Sequence, residues 1–278
     1  MAPWLQMADD LGLKLELERP PARIVSLVPS WTETLFAIGA GELVAGVTRF
    51  CVEPADRLGA IRKIGGTKNP NIREILKLEP DLVIANAEEN RREDIERLRE
   101  QGVPALTTYP RTVPGAVESM LRIGRAVGRD AQAAALAREI ALVVSGIEAG
   151  LGVWSKLRLR VFCPIWKKPW MAFNGDTYAH DVLRMMGYNN VYAAAGERYP
   201  RTTIEDAIEH RPDIVLLPDE PYVFDQRDIE ELKAELPAAL GRRVLLIGGR
   251  HLHWYGVHMV EGLRSLNERL SRLRASLI

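Results

Sequence analysis

Near its C-terminal end the chain reads RHLHWYGVH, which sets His251 and His253 two residues apart and follows them with Trp254 and Tyr255. Imidazole is the commonest protein ligand for a metal, so one of these histidines, His253 foremost, suits the axial position of a metal already held by a chelator. A surface or core role is the alternative for each. The chain holds no HExxH and no closely spaced Cys or His quartet, a pattern that does not build a protein-held zinc site. Aromatic residues are the second feature. Trp31, Phe50, Trp166, Trp170, Tyr199, Tyr222, Trp254 and Tyr255 stand in loops that follow short apolar runs, and four of the six tryptophans are among them. Rings offer large apolar contact area for few rotatable bonds, which suits a bulky, flat or cage-like ligand held without covalent chemistry; the alternative is that individual rings seal a core. Arg49, Asn86, Glu88, Glu89 and Glu220 occupy the same loops.

Motifs for catalysis are missing. There is no GxGxxG opening a helix after a strand, no GxxxxGK[ST] and no GxSxG. Ser30 sits at a strand-to-helix turn, where its spacing to Glu33 reads as a capping box rather than a nucleophile. Glu88 and Glu89 could form an acid and base pair, but adjacent carboxylates at the start of a charged helix also favour its positive end.

The elements that must position these residues alternate. RIVSL is read as a strand, PSWTETLFAIGA as a helix and ELVAGV as a strand. After a long loop, Asn71 caps a helix that stops before Pro80 and runs into the strand DLVIA. Such alternation predicts parallel sheets covered on both faces, with ligands settling outside the carboxyl ends of the strands. The pattern occurs twice. EPDLVIA at 79–85 returns as RPDIVLL at 211–217, and LFAIGAGELVAGV at 35–47 has a weaker echo in VLRMMGYNNVYAA at 182–194. Between the halves, Val113, Ala116, Met120, Ile123 and Val127, then Ala133, Leu136, Ile140, Val143 and Ile147, recur at helical spacing, with Gly124 and Gly128 as points that bend or break the helix. The division is therefore an N-terminal lobe at 1–110, a helical connector at 111–150 and a C-terminal lobe at 151–278. The rims of both lobes are expected to face one shared cleft.

Composition narrows the partners. With 37 Lys and Arg against 37 Asp and Glu, no overall field draws the chain to nucleic acid or an anionic membrane. Charges interrupt every apolar run of the first 27 residues, so the chain as written shows neither an export signal nor a membrane span. That reads as cytoplasmic if Met1 is the natural start, and as periplasmic or cell-surface if a leader was removed. Cys51 and Cys163 fall in different lobes, which disfavours a disulfide between them and suits a reducing compartment.

RIVSLVPSWTETLFAIGAG, IGGTKNPNIREILKLEPDLVIA, the helical connector and the closing HWYGVHMVEGLRSL resemble the substrate-binding proteins of bacterial ABC importers for vitamin B12 and iron-siderophore complexes, the helical-backbone metal-chelate receptors. The resemblance runs from residue 23 to 270. It implies an α/β fold of two Rossmann-like lobes with parallel sheets joined by a long rigid helix, the class III periplasmic-binding-protein fold. It also implies no intrinsic cofactor, no catalysis, and a corrinoid or related metal chelate held between the lobes. A ferric siderophore or haem on the same fold is the runner-up, and a cytosolic enzyme acting on such a chelate the reading from another class. Pocket aromatics of the cobalamin-binding members match Phe50 and Tyr199, whereas other pocket tryptophan positions match Thr67 and Asn86, giving a more polar first lobe for which Trp31, Trp166 and Trp170 compensate. Arg49, Lys68 and Arg250 could meet the carboxylates of an acidic ligand. The family docks an ABC permease through an exposed acid on each lobe. Glu205 fits that position in the second lobe, but Arg73 holds it in the first, with Glu74 about 100° further round the helix.

Overall fold

The computed structural model describes residues 2–152 and 158–276. The chain divides into two compact units, the first comprising 1–110, 114–139 and 255–258, the second 111–113, 140–254 and 259–278.

The first unit opens with an antiparallel hairpin, β1 (Leu5–Ala8) and β2 (Lys14–Leu17), which the charge-interrupted N-terminal sequence did not reveal. The buried carboxylate of Asp9 closes its turn by accepting from the Leu11 and Leu13 amides at 3.0 and 2.8 Å and pairs with Arg99 at 2.7 Å. Then follow β3 (Ile24–Ser26), α1 (Pro29–Ala37), β4 (Val44–Val47), β5 (Arg62–Lys63), α2 (Ile72–Lys77), β6 (Leu82–Asn86), α3 (Arg92–Glu100) and β7 (Ala105–Thr108). All five sheet strands are parallel, in the order β5-β4-β3-β6-β7. The strand β6 is buried throughout because helices cover both faces of the sheet, which is why it reads as a continuous apolar run. The core beneath it gathers Val25, Ile64, Ile75, Val83, Ile95 and Leu98, each such side chain contributing about 1.5–3 kcal/mol by leaving water.

The predicted connector is two helices, α4 (Val113–Ala126) and α5 (Asp130–Leu151). Gly128 ends the first with φ +66°, a conformation that costs glycine little. A side chain at Gly124 would meet the Ala133 methyl at 2.3 Å, so the bare backbone there lets the two helices approach. The long element joining the units is α5, about 33 Å at helical rise, with the unit boundary between Glu139 and Ile140.

The second unit contains β8 (Leu159–Phe162), β9 (Trp170–Met171), α6 (Tyr178–Met185), β10 (Tyr188–Asn190), β11 (Arg201–Thr202), α7 (Ile204–Glu209), β12 (Ile214–Pro218), α8 (Gln226–Glu235), α9 (Ala238–Gly241), β13 (Val244–Ile247), α10 (Gly249–His253) and α11 (His258–Ser276). Its parallel sheet runs β10-β8-β12-β13, the same order as β4-β3-β6-β7 in the first unit. The repeated Pro-Asp phrase has one physical job in both units. Asp81 accepts from the amides of Ala22 and Arg23 at 2.9 Å each and returns its own amide to the Arg23 carbonyl at 2.8 Å. Asp213 likewise accepts from the Arg160 amide at 2.7 Å and donates to the Arg160 carbonyl at 2.8 Å. Each aspartate latches the start of one central strand to its neighbour. The residue before each proline takes a left-handed conformation, Glu79 at φ +45° and Arg211 at φ +48°.

One expected cap is absent. α1 starts with Pro29 in its first turn after an N-cap at Val28, so Ser30 lies inside the helix rather than capping it. Glu33 instead meets His258 at 3.4 Å. The cap expected at Asn71 is present, its side chain accepting from the Glu74 amide at 3.2 Å.

Candidate functional site

In a parallel sheet the loops that follow the strands all emerge at one edge, and the candidate residues lie almost entirely in those loops. In the first unit the loop after β4 carries Arg49 and Phe50. Phe50 is 49% exposed and the Arg49 guanidinium lies 5.0 Å from its ring centroid. Gly66 brings the next loop against them: a side chain there would stand 3.3 Å from the Phe50 ring, 3.4 Å from Arg49 and 2.4 Å from Asn69 Oδ1. That loop is anchored by Asn90, whose amide group donates to the Thr67 carbonyl at 3.0 Å, and by Lys68, which donates to the Glu88 carbonyl. Arg49, Phe50, Thr67, Lys68 and Glu88 therefore gather at one edge.

Other expected contacts of this unit lie inside it. Trp31 is wholly buried; its indole donates to Thr108 Oγ1 at 2.9 Å and stacks on Tyr255 at 5.4 Å. Asn86 is also fully buried, and its Oδ1 accepts from the Glu88 and Glu89 amides at 2.8 and 3.2 Å while its amide group donates to Thr108 at 3.3 Å. The structure thus places both of these expected ligand contacts inside the unit. Trp31 shares a helix face with Leu35, and Asn86 satisfies backbone groups that leave the sheet. Tyr255 is buried too, but its hydroxyl donates to Glu88 Oε2 at 3.4 Å. Glu88 and Glu89 precede α3 instead of opening it, because the helix starts at Arg92.

In the second unit the loop after β8 presents Trp166, 43% exposed, edge-on to Tyr222 at 5.6 Å. Tyr222 packs on Phe224 at 4.6 Å, and the half-buried Trp170 stacks on Phe224 at 5.8 Å with planes 9° apart. Four rings thus run from the surface into the core. The loop turns through Lys168 at φ +64°, and the Met171 amide donates to the Trp166 carbonyl at 3.1 Å. Tyr199 is half-buried with the Arg198 guanidinium 5.9 Å from its ring, and Arg198 and Arg111 hold Asp176 at 2.6 and 3.1 Å. Trp254 is buried, and its indole donates to Glu220 Oε1 at 3.1 Å. Arg250 lies over its ring at 4.9 Å and pairs with Glu220 at 3.6 Å.

The sequence profile of the periplasmic binding protein family matches residues 24–240. The chain belongs to this family. Against the vitamin B12-binding protein of Vibrio parahaemolyticus it is 26% identical over 225 residues, 81% of this chain and 80% of the relative. The solved structure of the periplasmic vitamin B12 binding protein BtuF of Vibrio cholerae is similar with a TM-score of 0.79 at 20% identity, covering 92% of this chain and 98% of that one. The apo periplasmic heme-binding protein RhuT of Roseiflexus sp. RS-1 gives 0.77 at 23%, covering 90% and 98%. The fold is that of the class III periplasmic binding proteins.

Further features of the chain bear on ligand and partner. His253, edge-on to Phe173 at 6.5 Å, is half-buried, and its enclosed Nε2 has no hydrogen-bond partner among the described residues. Burial pushes its pKa down to about 4, so the ring is neutral at pH 7, but in this conformation Nε2 points into protein. Among the described residues no group of three His, Cys, Asp or Glu side chains is placed to hold a metal ion. Both cysteines are buried free thiols, and burial raises the pKa of each.

Glu205 is exposed in the first turn of α7, its carboxyl held below the usual range by its own amide and the Thr203 hydroxyl. Arg73 is exposed on α2, while Glu74 is gripped by Lys77 and Arg62 at 2.7 Å each, which lowers its pKa and cancels its charge. A surface depression of about 460 Å³ lies elsewhere, lined by Leu245, Ser265, Glu268, Arg269, Arg272 and Leu273 along α11. It holds no aromatic ring and none of the strand-end loops, and the ring-bearing edges are the better site on chemical grounds. Sequence reading missed Lys167 as an organiser of these loops and placed Glu220 in them without giving it a role. The signal for Lys167 was a cation set between two tryptophans in WKKPW.

Proposed function

We propose that this protein binds a bulky metal chelate, a corrinoid first, without transforming it, as the substrate-binding component of an ABC importer. The observation that carries the reading is that exposed rings, Phe50 in the first unit and Trp166 in the second, stand at the carboxyl edges of the sheets in a chain of a ligand-binding family. The names of the relatives, vitamin B12-binding and heme-binding, support the chelate class. A haem or ferric siderophore is the second reading. It is favoured by Arg49, an exposed cation with no ion pair among the described residues, which suits propionate or other carboxylate groups.

The test is calorimetric titration with cyanocobalamin, cobinamide, haemin and a ferric siderophore. Phe50→Ala and Trp166→Ala are each expected to weaken the bound chelate about tenfold, roughly 1.4 kcal/mol. Arg49→Gln should weaken haemin and leave cyanocobalamin unchanged. Binding that ignores both ring deletions would overturn the site. We assign permease docking to Glu205, since the first unit's counterpart is Arg73 and Glu74 is neutralised. Glu205→Lys is expected to abolish ligand uptake with the cognate permease while leaving ligand affinity intact. On this reading the protein works outside the cytoplasmic membrane; no described helix is long and apolar enough to cross one.

A further inference from the structure

We infer that Lys167 is a positioning residue that sets the place of the Trp166 and Tyr222 rings at the carboxyl edge of the second unit. Its ammonium donates to Asp228 Oδ1 at 2.5 Å and to Glu231 Oε2 at 2.6 Å, and lies 5.8 Å from the Trp170 ring. The Lys167 and Asp228 side chains are each only 9% exposed, whereas the Glu231 side chain is 61% exposed. The other oxygen of Asp228 accepts from the Asp225 amide at 2.9 Å, completing the capping box that starts α8. One ammonium therefore links the loop that carries Trp166 to the chain segment that carries Tyr222 and Phe224. Without that tie, the Trp166 loop is fastened to its own strand by two backbone bonds, between Ile165 and Met171 at 2.8 Å and between Met171 and Trp166 at 3.1 Å. Those bonds fix the hairpin, and ring packing, Trp166 on Tyr222 and Trp170 on Phe224, is then left to hold its angle to Tyr222.

Burial alone would lower the lysine pKa, but the hydrogen bonds to Asp228 and Glu231 outweigh it and hold the group charged through the physiological range. A neutral substitute leaves two carboxylates facing each other with Asp228 enclosed, so the two segments separate to rehydrate it. The role of these rings in ligand binding rests on the proposed function; the role of Lys167 in placing them does not.

The experiment uses the full chain labelled with 5-fluorotryptophan, with the Trp166 resonance assigned by Trp166→Phe. Lys167→Met is expected to shift and broaden the Trp166 ¹⁹F resonance while leaving that of Trp31 in place, and to weaken cyanocobalamin or haemin, whichever the wild type binds, about tenfold. Lys167→Arg should keep both near wild type. An unmoved Trp166 resonance in a folded Lys167→Met protein overturns the inference; a moved resonance with unchanged affinity upholds the placing role of Lys167 and overturns the role of these rings in ligand binding. If the wild type binds no chelate, the chelate reading fails and the resonance alone decides the role of Lys167. Should Lys167→Met not fold, Glu231→Gln removes the exposed half of the tie and is expected to give a smaller shift of the same resonance; no shift would count against the inference.

Discussion

Removing the Asp81 carboxylate should loosen the first unit selectively. In Asp81→Ala two backbone amides, those of Ala22 and Arg23, lose a charged acceptor at 2.9 Å, and Arg19 loses a partner at 3.3 Å. A hydrogen bond to a charged group contributes about 1.5–3 kcal/mol. Asp81 is half-buried, so water replaces part of what is lost, and the expected cost is about 2–3 kcal/mol. Asp213→Ala removes one such bond and should cost about half as much, in the second unit only. Burial pushes the Asp81 pKa up, but its two backbone donors and Arg19 outweigh this and hold it below the ordinary value. Its contribution is therefore complete above the unfolded pKa of about 3.9 and disappears as pH falls through the lower folded value. The gap between wild type and Asp81→Asn should be constant from about pH 8 to 5 and close below about pH 4. Native-state hydrogen exchange of the β3 and β6 amides against those of β8 and β12 measures each unit separately. A loss under about 0.5 kcal/mol, or equal loss in both units, would refute the latch.

Three more outcomes are expected. Trp31→Ala should cost about 3–5 kcal/mol in urea unfolding because the indole is wholly buried, whereas Trp166→Ala should cost less than about 1 kcal/mol. Gly66→Val pushes a side chain toward Asn69, Phe50 and Arg49 and should weaken chelate binding by roughly fivefold, about 1 kcal/mol, with the melting temperature nearly unchanged. His253 binds its proton at about pH 4 in the folded chain and near 6.5 when unfolded, so stability should be full above about pH 6.5 and decline toward pH 4. His253→Phe should remove up to about 3 kcal/mol of that decline, read from unfolding midpoints across the range.

The doubled architecture was legible because alternation and the Pro-Asp phrase are local signals: a helix must stop before the proline, and the aspartate must reach the neighbouring strand start. The weaker echo was also real, since α1 leads into β4 as α6 leads into β10, each beside its central strand. Side-chain destinations were harder to read. Trp31 follows a strand as a rim residue would, yet its spacing to Leu35 and Ile38 is helical, and that spacing marked it as core. Asn86 ends an apolar strand, where a polar side chain serves either a ligand or the backbone; only the positions of the Glu88 and Glu89 amides decide. The neutralisation of Glu74 depends on Arg62, twelve residues away on a two-residue strand that no periodicity reveals.

Hydrogen exchange with and without a saturating chelate tests the central claim most directly. Cyanocobalamin or haemin is expected to protect amides at 48–53, 64–71, 165–171 and 219–224, the strand-end loops around Phe50 and Trp166. Protection confined to 265–276 along α11, or protection nowhere with any of the chelates, would contradict it.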